Sequence, residues 1–162
     1  MCTLIAPTDT CRASFLEGAA EFQAQGRLDS TYAVYLGYTL DSLRARFEQF
    51  VRDLNALGDS SRPASGWYVD IVLWLMAGAE YVGQVSVRPE LSTNYLVQFG
   101  GHIGYSIRPT MRRCGYGKKI LALALTRARD LGLRRVLVTC DSDNIASQKI
   151  IERNGGRFES AM

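Results

Sequence analysis

Apolar residues recur along this chain with two periods, and the switches between them predict its elements. Residues 3–5 read as a short first strand, and Thr10 suits the N-cap of a helix reaching about Gln25. Within it Phe15, Leu16, Ala19, Ala20 and Phe22 fall at helical spacing. Residues 26–37 lose the pattern and predict a loop. Leu43, Phe47, Phe50, Val51, Leu54 and Leu57 then form one stripe, with Gly58 placed for a C-cap. Such a stripe can serve a partner, but more often it faces its own core. Residues 59–66, with Pro63 and Gly66, predict a polar turn. Residues 67–76 and 80–87 predict antiparallel strands about Ala77, Gly78 and Ala79. Residues 89–100 read as a loop and 102–107 as a strand. A helix over 118–131, a strand over 136–140 and a helix over 144–153 with Gly155 as its cap follow. Phe158 would open a last strand.

Length and composition fit one ordinary globular domain over residues 1–162: 47% of the 162 residues are hydrophobic and 22% are charged. No apolar run is long enough to cross a bilayer. The first residues lack the basic-then-apolar order of a secretory leader. Cys2, Cys11, Cys114 and Cys140 are scattered, without metal-ligand or disulfide-framework spacing. The expectation is a cytoplasmic protein with reduced thiols, no metal, no membrane and no nucleic-acid partner, because a net charge of +3 is too mild for the last. The local excess of basic residues over 108–119 is better matched by a small phosphorylated ligand.

That excess surrounds Arg112-Arg113-Cys114-Gly115-Tyr116-Gly117, set between a strand-like and a helix-like run. The first N–H groups of a helix have no intrahelical acceptor and lie at the positive end of its dipole. A glycine turn entering a helix is therefore an anion site. Arg112, Arg113 and Lys118 add charge there, and two glycines allow close approach and unusual dihedrals. The segment is not a nucleotide P-loop, since Gly117 is followed by two lysines. It also lacks the third glycine of the dinucleotide fingerprint.

The pattern Arg112-x-x-Gly115-x-Gly117 resembles the pyrophosphate-binding signature of the GNAT N-acetyltransferase superfamily. Three flanking pieces extend the resemblance over about residues 100–158: Gly104 to Pro109 entering the loop, Gly132 to Val138 leaving the following helix, and Asp143 to Gly156 as the next helix. The resemblance implies a mixed α/β fold, with a central, mostly antiparallel twisted sheet and helices on both faces. It also implies acetyl-CoA as donor and direct transfer to an amine borne by a small molecule or peptide. The family ends with a further strand, so here that strand is either absent or supplied by a partner, which makes a homodimer possible.

The same resemblance distributes roles. The main chain of residues 113–118 (Arg113, Cys114, Gly115, Tyr116, Gly117, Lys118) would hold the pyrophosphate beside Arg112, and Ile107 and Arg108 would pair with the pantetheine arm. Asn144 either contacts that arm or caps its helix, and Ser147 either joins it or is plain helix surface. His102 is the only histidine, at a position where relatives carry a glutamate. It is either the base that deprotonates the amine or an inert histidine in a sheet. The oxyanion would meet a main-chain N–H near Ile107. Relatives carry a tyrosine as general acid where this chain has Ile151, which cannot donate a proton. Cys114 and Cys140 as acyl carriers are disfavoured, since the family transfers directly. Residues 89–100, with Glu90, Asn94, Tyr95 and Gln98, would line the acceptor site. Asp70 or Glu90 would attract a cationic amine or be simple surface charge. A cofactor-binding sensor or scaffold without turnover is the competing reading.

Overall fold

The structure, a computed structural model, describes residues 1–61 and 68–161. Its centre is a hairpin of β2 (Ile71–Ala77) and β3 (Glu80–Val87). Gly78, at the first position of the two-residue loop, takes φ 61°, the conformation a tight hairpin turn reserves for glycine. Strand β1 (Cys2–Ile5) adds to β2 and β4 (Ile103–Ile107) adds to β3, giving the antiparallel order β1-β2-β3-β4. The register slips between Leu75 and Met76: Leu75 pairs with Gly83 and Met76 with Tyr81, so Val82 is an extra residue. A bulge of this kind flips the alternation. Tyr81 consequently joins one core and Val82, Val85 and Val87 the other.

Both faces of the sheet are covered. On one, α1 (Arg12–Ala24), α2 (Leu40–Ala45) and α3 (Phe47–Ala56) pack against Val72, Trp74, Met76 and Tyr81. Phe15 is the hub: its ring stacks on Trp74 at 4.6 Å and meets Tyr81 edge-on at 4.9 Å. On the other, α4 (Tyr116–Asp130) lays Ile120, Leu121, Ala124 and Ala128 on Leu75, Val85 and Ile103. Helix α5 (Ile145–Arg153) packs on α4 through the partly buried Ile150 and Ile151. The stripe over 43–57 therefore faces its own core.

Several expected boundaries shift. The stripe lies on two helices, not one, because Arg46 leaves helical geometry (φ −131°, ψ 42°) and stacks its guanidinium 5.1 Å from the Tyr38 ring. Gly58 is not left-handed, and the cap position falls on Leu57. Thr8, rather than Thr10, caps the first turn by accepting from the Thr10 N–H. Residues 26–37 include a 3-10 turn over Leu28–Thr31, and residues 89–100 include a π-helical turn over Leu96–Gly100. The expected strand 136–140 contributes one parallel bridge, Ile103 to Val138, and no regular ladder. No strand follows α5 among the described residues, and Phe158 is exposed. The turn expected over 59–66 and the start of the strand at Trp67 lie largely outside the described residues.

Candidate active site

The turn before α4 presents main-chain N–H groups on an exposed surface. Arg113 and Gly115 both take the left-handed conformation, at φ 61° and 83°. Left-handed residues next to a helix start curl successive N–H groups toward one point. Among the described residues, none of the N–H groups of residues 113–118 donates a hydrogen bond; the ladder resumes with Lys119 N–H to the Gly115 carbonyl. The turn is exposed at Arg113, Cys114, Gly115 and Lys118. The two glycines differ in purpose. A Cβ on Gly115 would meet nothing within 4 Å, so that glycine serves the backbone conformation and open approach. A Cβ on Gly117 would lie 2.5 Å from Ile150 Cδ1, so that glycine lets α5 pack on α4. Gly117 thus has a packing role that its place in the motif did not reveal.

The two flanking arginines are committed elsewhere. Arg112 donates through Nε to the Ile107 carbonyl (3.1 Å) and through a terminal nitrogen to Gln25 (3.0 Å). It ties the turn to β4 and α1. Arg108 is buried against α1 and pairs with Glu21 at 2.8 Å and Glu17 at 3.4 Å. Its N–H donates to the Val82 carbonyl. Arg108 therefore offers neither main chain nor guanidinium to the open side of β4, which corrects the expectation for this residue. Alternation is the cause: the Arg108 N–H bonds Val82 on β3, so the odd-numbered residues of β4 turn the other way. Burial works to raise the Glu21 pKa, but hydrogen bonds from Arg108 and Thr110 outweigh it and hold the carboxyl below its usual range.

The odd-numbered residues define an open edge. Ile103 meets Val138, after which residues 139–140 give β4 no further bridge, leaving the main chain of Tyr105 and Ile107 unladdered on that side. At the root of the gap sits His102. Its N–H donates to the Leu137 carbonyl (2.8 Å), and its Nδ1 accepts from the Leu137 N–H (2.9 Å). Burial moves its pKa below the usual histidine value. An Nδ1 that accepts places the proton of the neutral ring on Nε2. The one basic lone pair thus already holds a main-chain proton donor.

Across the gap α5 presents polar groups. The Asn144 side chain accepts from the Ser147 N–H at 3.0 Å, so its capping role is realised. Ser147 is buried, not helix surface, and its hydroxyl lies 2.6 Å from the Tyr105 hydroxyl. Burial raises the Tyr105 pKa, with the Ser147 hydrogen bond opposing it. Ile151 packs into the second core. Cys114 is exposed and hydrogen-bonds the Arg112 carbonyl. Burial raises the Cys140 pKa, which lowers its thiolate fraction.

Sequence reasoning missed a polar network on the α1 face. Asp70 is buried rather than on the surface. It accepts from the Tyr32 hydroxyl (2.5 Å) and lies 3.4 Å from Arg88 Nε. Arg88 donates to the Gly100 and Gly101 carbonyls at 2.9 and 3.2 Å. Asp70 is thus neutralised internally and is no free lure for an amine. Nothing in the local sequence separates it from a surface acid, since its partners lie 18 and 38 residues away.

The model of the acetyltransferase (GNAT) domain matches residues 16–157, and the chain belongs to that family. Among solved structures it is similar to a protein from Vibrio cholerae provisionally described as a ribosomal-protein-serine acetyltransferase. The two share 19% identity at a TM-score of 0.53, over 95% of this chain and 78% of that one. At that identity the likeness speaks for the fold. A search of the curated proteins finds no match. Among the described residues no helix is long and apolar enough to cross a membrane, and no group of three or more potential metal ligands occurs.

Proposed function

We propose that this protein is an acetyl-CoA-dependent N-acetyltransferase that passes the acetyl group directly to an amine. The observation that carries the reading is the row of six N–H groups over 113–118 without an acceptor among the described residues, beside a sheet edge left open. In this reading those amides hold the diphosphate, aided by the charges of Arg113 and Lys118. The Ile107 N–H faces the acyl group and Asn144 lies along the arm. Acetyl-CoA would supply an activated thioester: the neutral amine attacks its carbonyl carbon, the resulting ammonium proton passes to solvent water, and the carbon–sulfur bond breaks to release a thiolate that takes up a proton from solvent. A thiol of pKa about 8.5 is a tolerable leaving group. Tyr105, with a pKa above the ordinary phenol value, does not protonate that thiolate outright. Paired with Ser147, it stabilises the thiolate as a hydrogen-bond donor.

The acceptor reaches the site across residues 89–100 and the N-terminal helices. With the His102 lone pair engaged, an amine that is already largely neutral reacts best. An α-amino group, with pKa about 7.7–8.0, meets that need better than a lysine side chain at about 10.4. The neighbour's description makes a serine carried by a protein one acceptor to test beside small amines. Ile151, packed in the core at the usual tyrosine position, favours a second reading in which the protein binds the cofactor without turnover.

Thiol release over a panel of α-amines and side-chain amines separates the two. The transferase reading expects turnover, faster on α-amines, with Ser147→Ala lowering kcat more than the KM for acetyl-CoA. Tight acetyl-CoA binding with no turnover on any acceptor would establish the second reading instead.

A further inference from the structure

We propose that His102 is a positioning residue: its imidazole wedges the sheet open at the root of the cofactor cleft, and it is not the base of the reaction. The inference rests on reading that open edge as the acyl-CoA cleft, and it goes further by assigning what holds the edge open.

In a parallel ladder each strand's N–H groups bond the neighbour's carbonyls directly. Here one residue answers both polar groups of Leu137, and only one of the two bonds is main chain to main chain. The His102 N–H takes the Leu137 carbonyl at 2.8 Å, while the ring Nδ1, not a carbonyl, takes the Leu137 N–H at 2.9 Å. An imidazole inserted in place of a carbonyl sets the second segment back from β4. The Leu137 N–H is still satisfied, so the divergence leaves no orphaned donor. Past the wedge, among the described residues, only Val138 bridges β4, and the Thr139 hydroxyl turns away to donate to the Phe99 carbonyl. Two further contacts fix the wedge. The His102 carbonyl accepts from the Arg88 N–H at 2.7 Å. Gly101 is left-handed at φ 65°, and a Cβ on it would lie 2.7 Å from the Leu137 carbonyl oxygen, so only glycine allows this approach.

The wedge works only while the ring is neutral. Protonation places an N–H on Nδ1 facing the Leu137 N–H, and the bond is lost. The charged or titratable groups on the surrounding elements are Glu80 and Tyr81 on β3, Arg88 just past it, Tyr105 on β4, Cys140 on the facing segment, and Arg135 and Asp141 at its ends; the turn over Leu96–Gly100 has none. Burial favours the neutral ring. The contribution is therefore complete above the unfolded pKa of about 6.5 and is lost as pH falls through the lower folded value.

The test uses His102→Asn and His102→Leu. Asparagine Oδ1 stands as many bonds from Cα as imidazole Nδ1, accepts a hydrogen bond, and does not titrate in this range. The wedge predicts that His102→Asn keeps the acetyl-CoA Kd and kcat within about threefold of wild type, while His102→Leu raises Kd about tenfold, as expected for an orphaned, half-buried donor. It also predicts that wild type loses affinity between pH 7.5 and 5.5 while His102→Asn does not. Loss of kcat in His102→Asn by about a hundredfold or more, with Kd intact, would overturn the proposal in favour of a base. Unchanged Kd in His102→Leu would also overturn it. Amide hydrogen exchange at Leu137 reads the wedge without cofactor: protection in wild type and His102→Asn and loss in His102→Leu is expected, and equal exchange in all three refutes it. Failure of wild type to bind acetyl-CoA, with this exchange pattern intact, would count against the cofactor reading and leave the wedge standing.

Discussion

Gly115→Ala isolates the loop conformation from everything else. The glycine sits at φ 83° and ψ 0°, and a Cβ there meets nothing within 4 Å, so the substitution removes no packing and creates no clash. Its whole cost is that of placing an alanine in the left-handed region, about 1–2 kcal/mol. Arg113 and Cys114 before it are exposed, and the N–H groups of 113–118 make no bonds among the described residues, so little holds the turn in that strain. The free loop relaxes to negative φ and swings its amides away, and binding a diphosphate must restore them. The coenzyme A Kd therefore rises about 5- to 30-fold. Isothermal titration with coenzyme A gives that number. S-acetylpantetheine, which carries the same thioester without the diphosphate, supplies the control, and its kcat/KM should not change. Unchanged coenzyme A affinity, or equal loss for both ligands, would refute the assignment of the turn. Gly117→Ala should behave differently: its φ is ordinary, but the new methyl presses on Ile150. The atom it meets is the free end of the Ile150 side chain, which can turn aside at about 0.5–1.5 kcal/mol, so any loss is small and falls on both ligands alike.

Two further predictions concern the scaffold. Arg88→Met leaves Asp70 charged and buried, so urea unfolding should show a loss of about 3–5 kcal/mol, and adding Asp70→Asn should recover part of it; a double variant worse than the single would contradict the pairing. Glu21, held below its ordinary pKa, contributes stability that is complete above about pH 4.5 and fades as pH falls through the lower folded value. Removing the carboxylate with Glu21→Gln should flatten that acid limb in melting curves, and an unchanged limb would place the acid sensitivity elsewhere.

Much of this architecture was legible because its determinants are local. The hairpin follows from two apolar runs about Gly78, and the anion turn from the Gly115 spacing and the basic residues around it. Asn144 as a cap needed only its own helix. What escaped the sequence depends on distant partners. Arg108 looked like part of the cofactor loop because it precedes it, yet Glu17 and Glu21 on α1 claim its side chain and the alternation of β4 claims its N–H. Asp70 looked like a surface acid because Tyr32 and Arg88 are far away in the chain. The run 136–140 has the apolar content of a strand, but strand content alone does not say that a histidine ring will take the place of a neighbouring carbonyl. Ser147 became a candidate for chemistry only when the fold placed its hydroxyl against Tyr105. The bulge at Val82, which changes the face of every later residue in β3, left no mark in the hydrophobic pattern because both faces are buried.

The central claim is that the bare amides of residues 113–118 receive a diphosphate. Proton–nitrogen correlation spectra of the labelled protein test it most directly, with coenzyme A and S-acetylpantetheine titrated separately. The account predicts large downfield amide-proton shifts confined to residues 113–118 on adding coenzyme A, absent with the pantetheine thioester. Coenzyme A binding that leaves those resonances in place would contradict it.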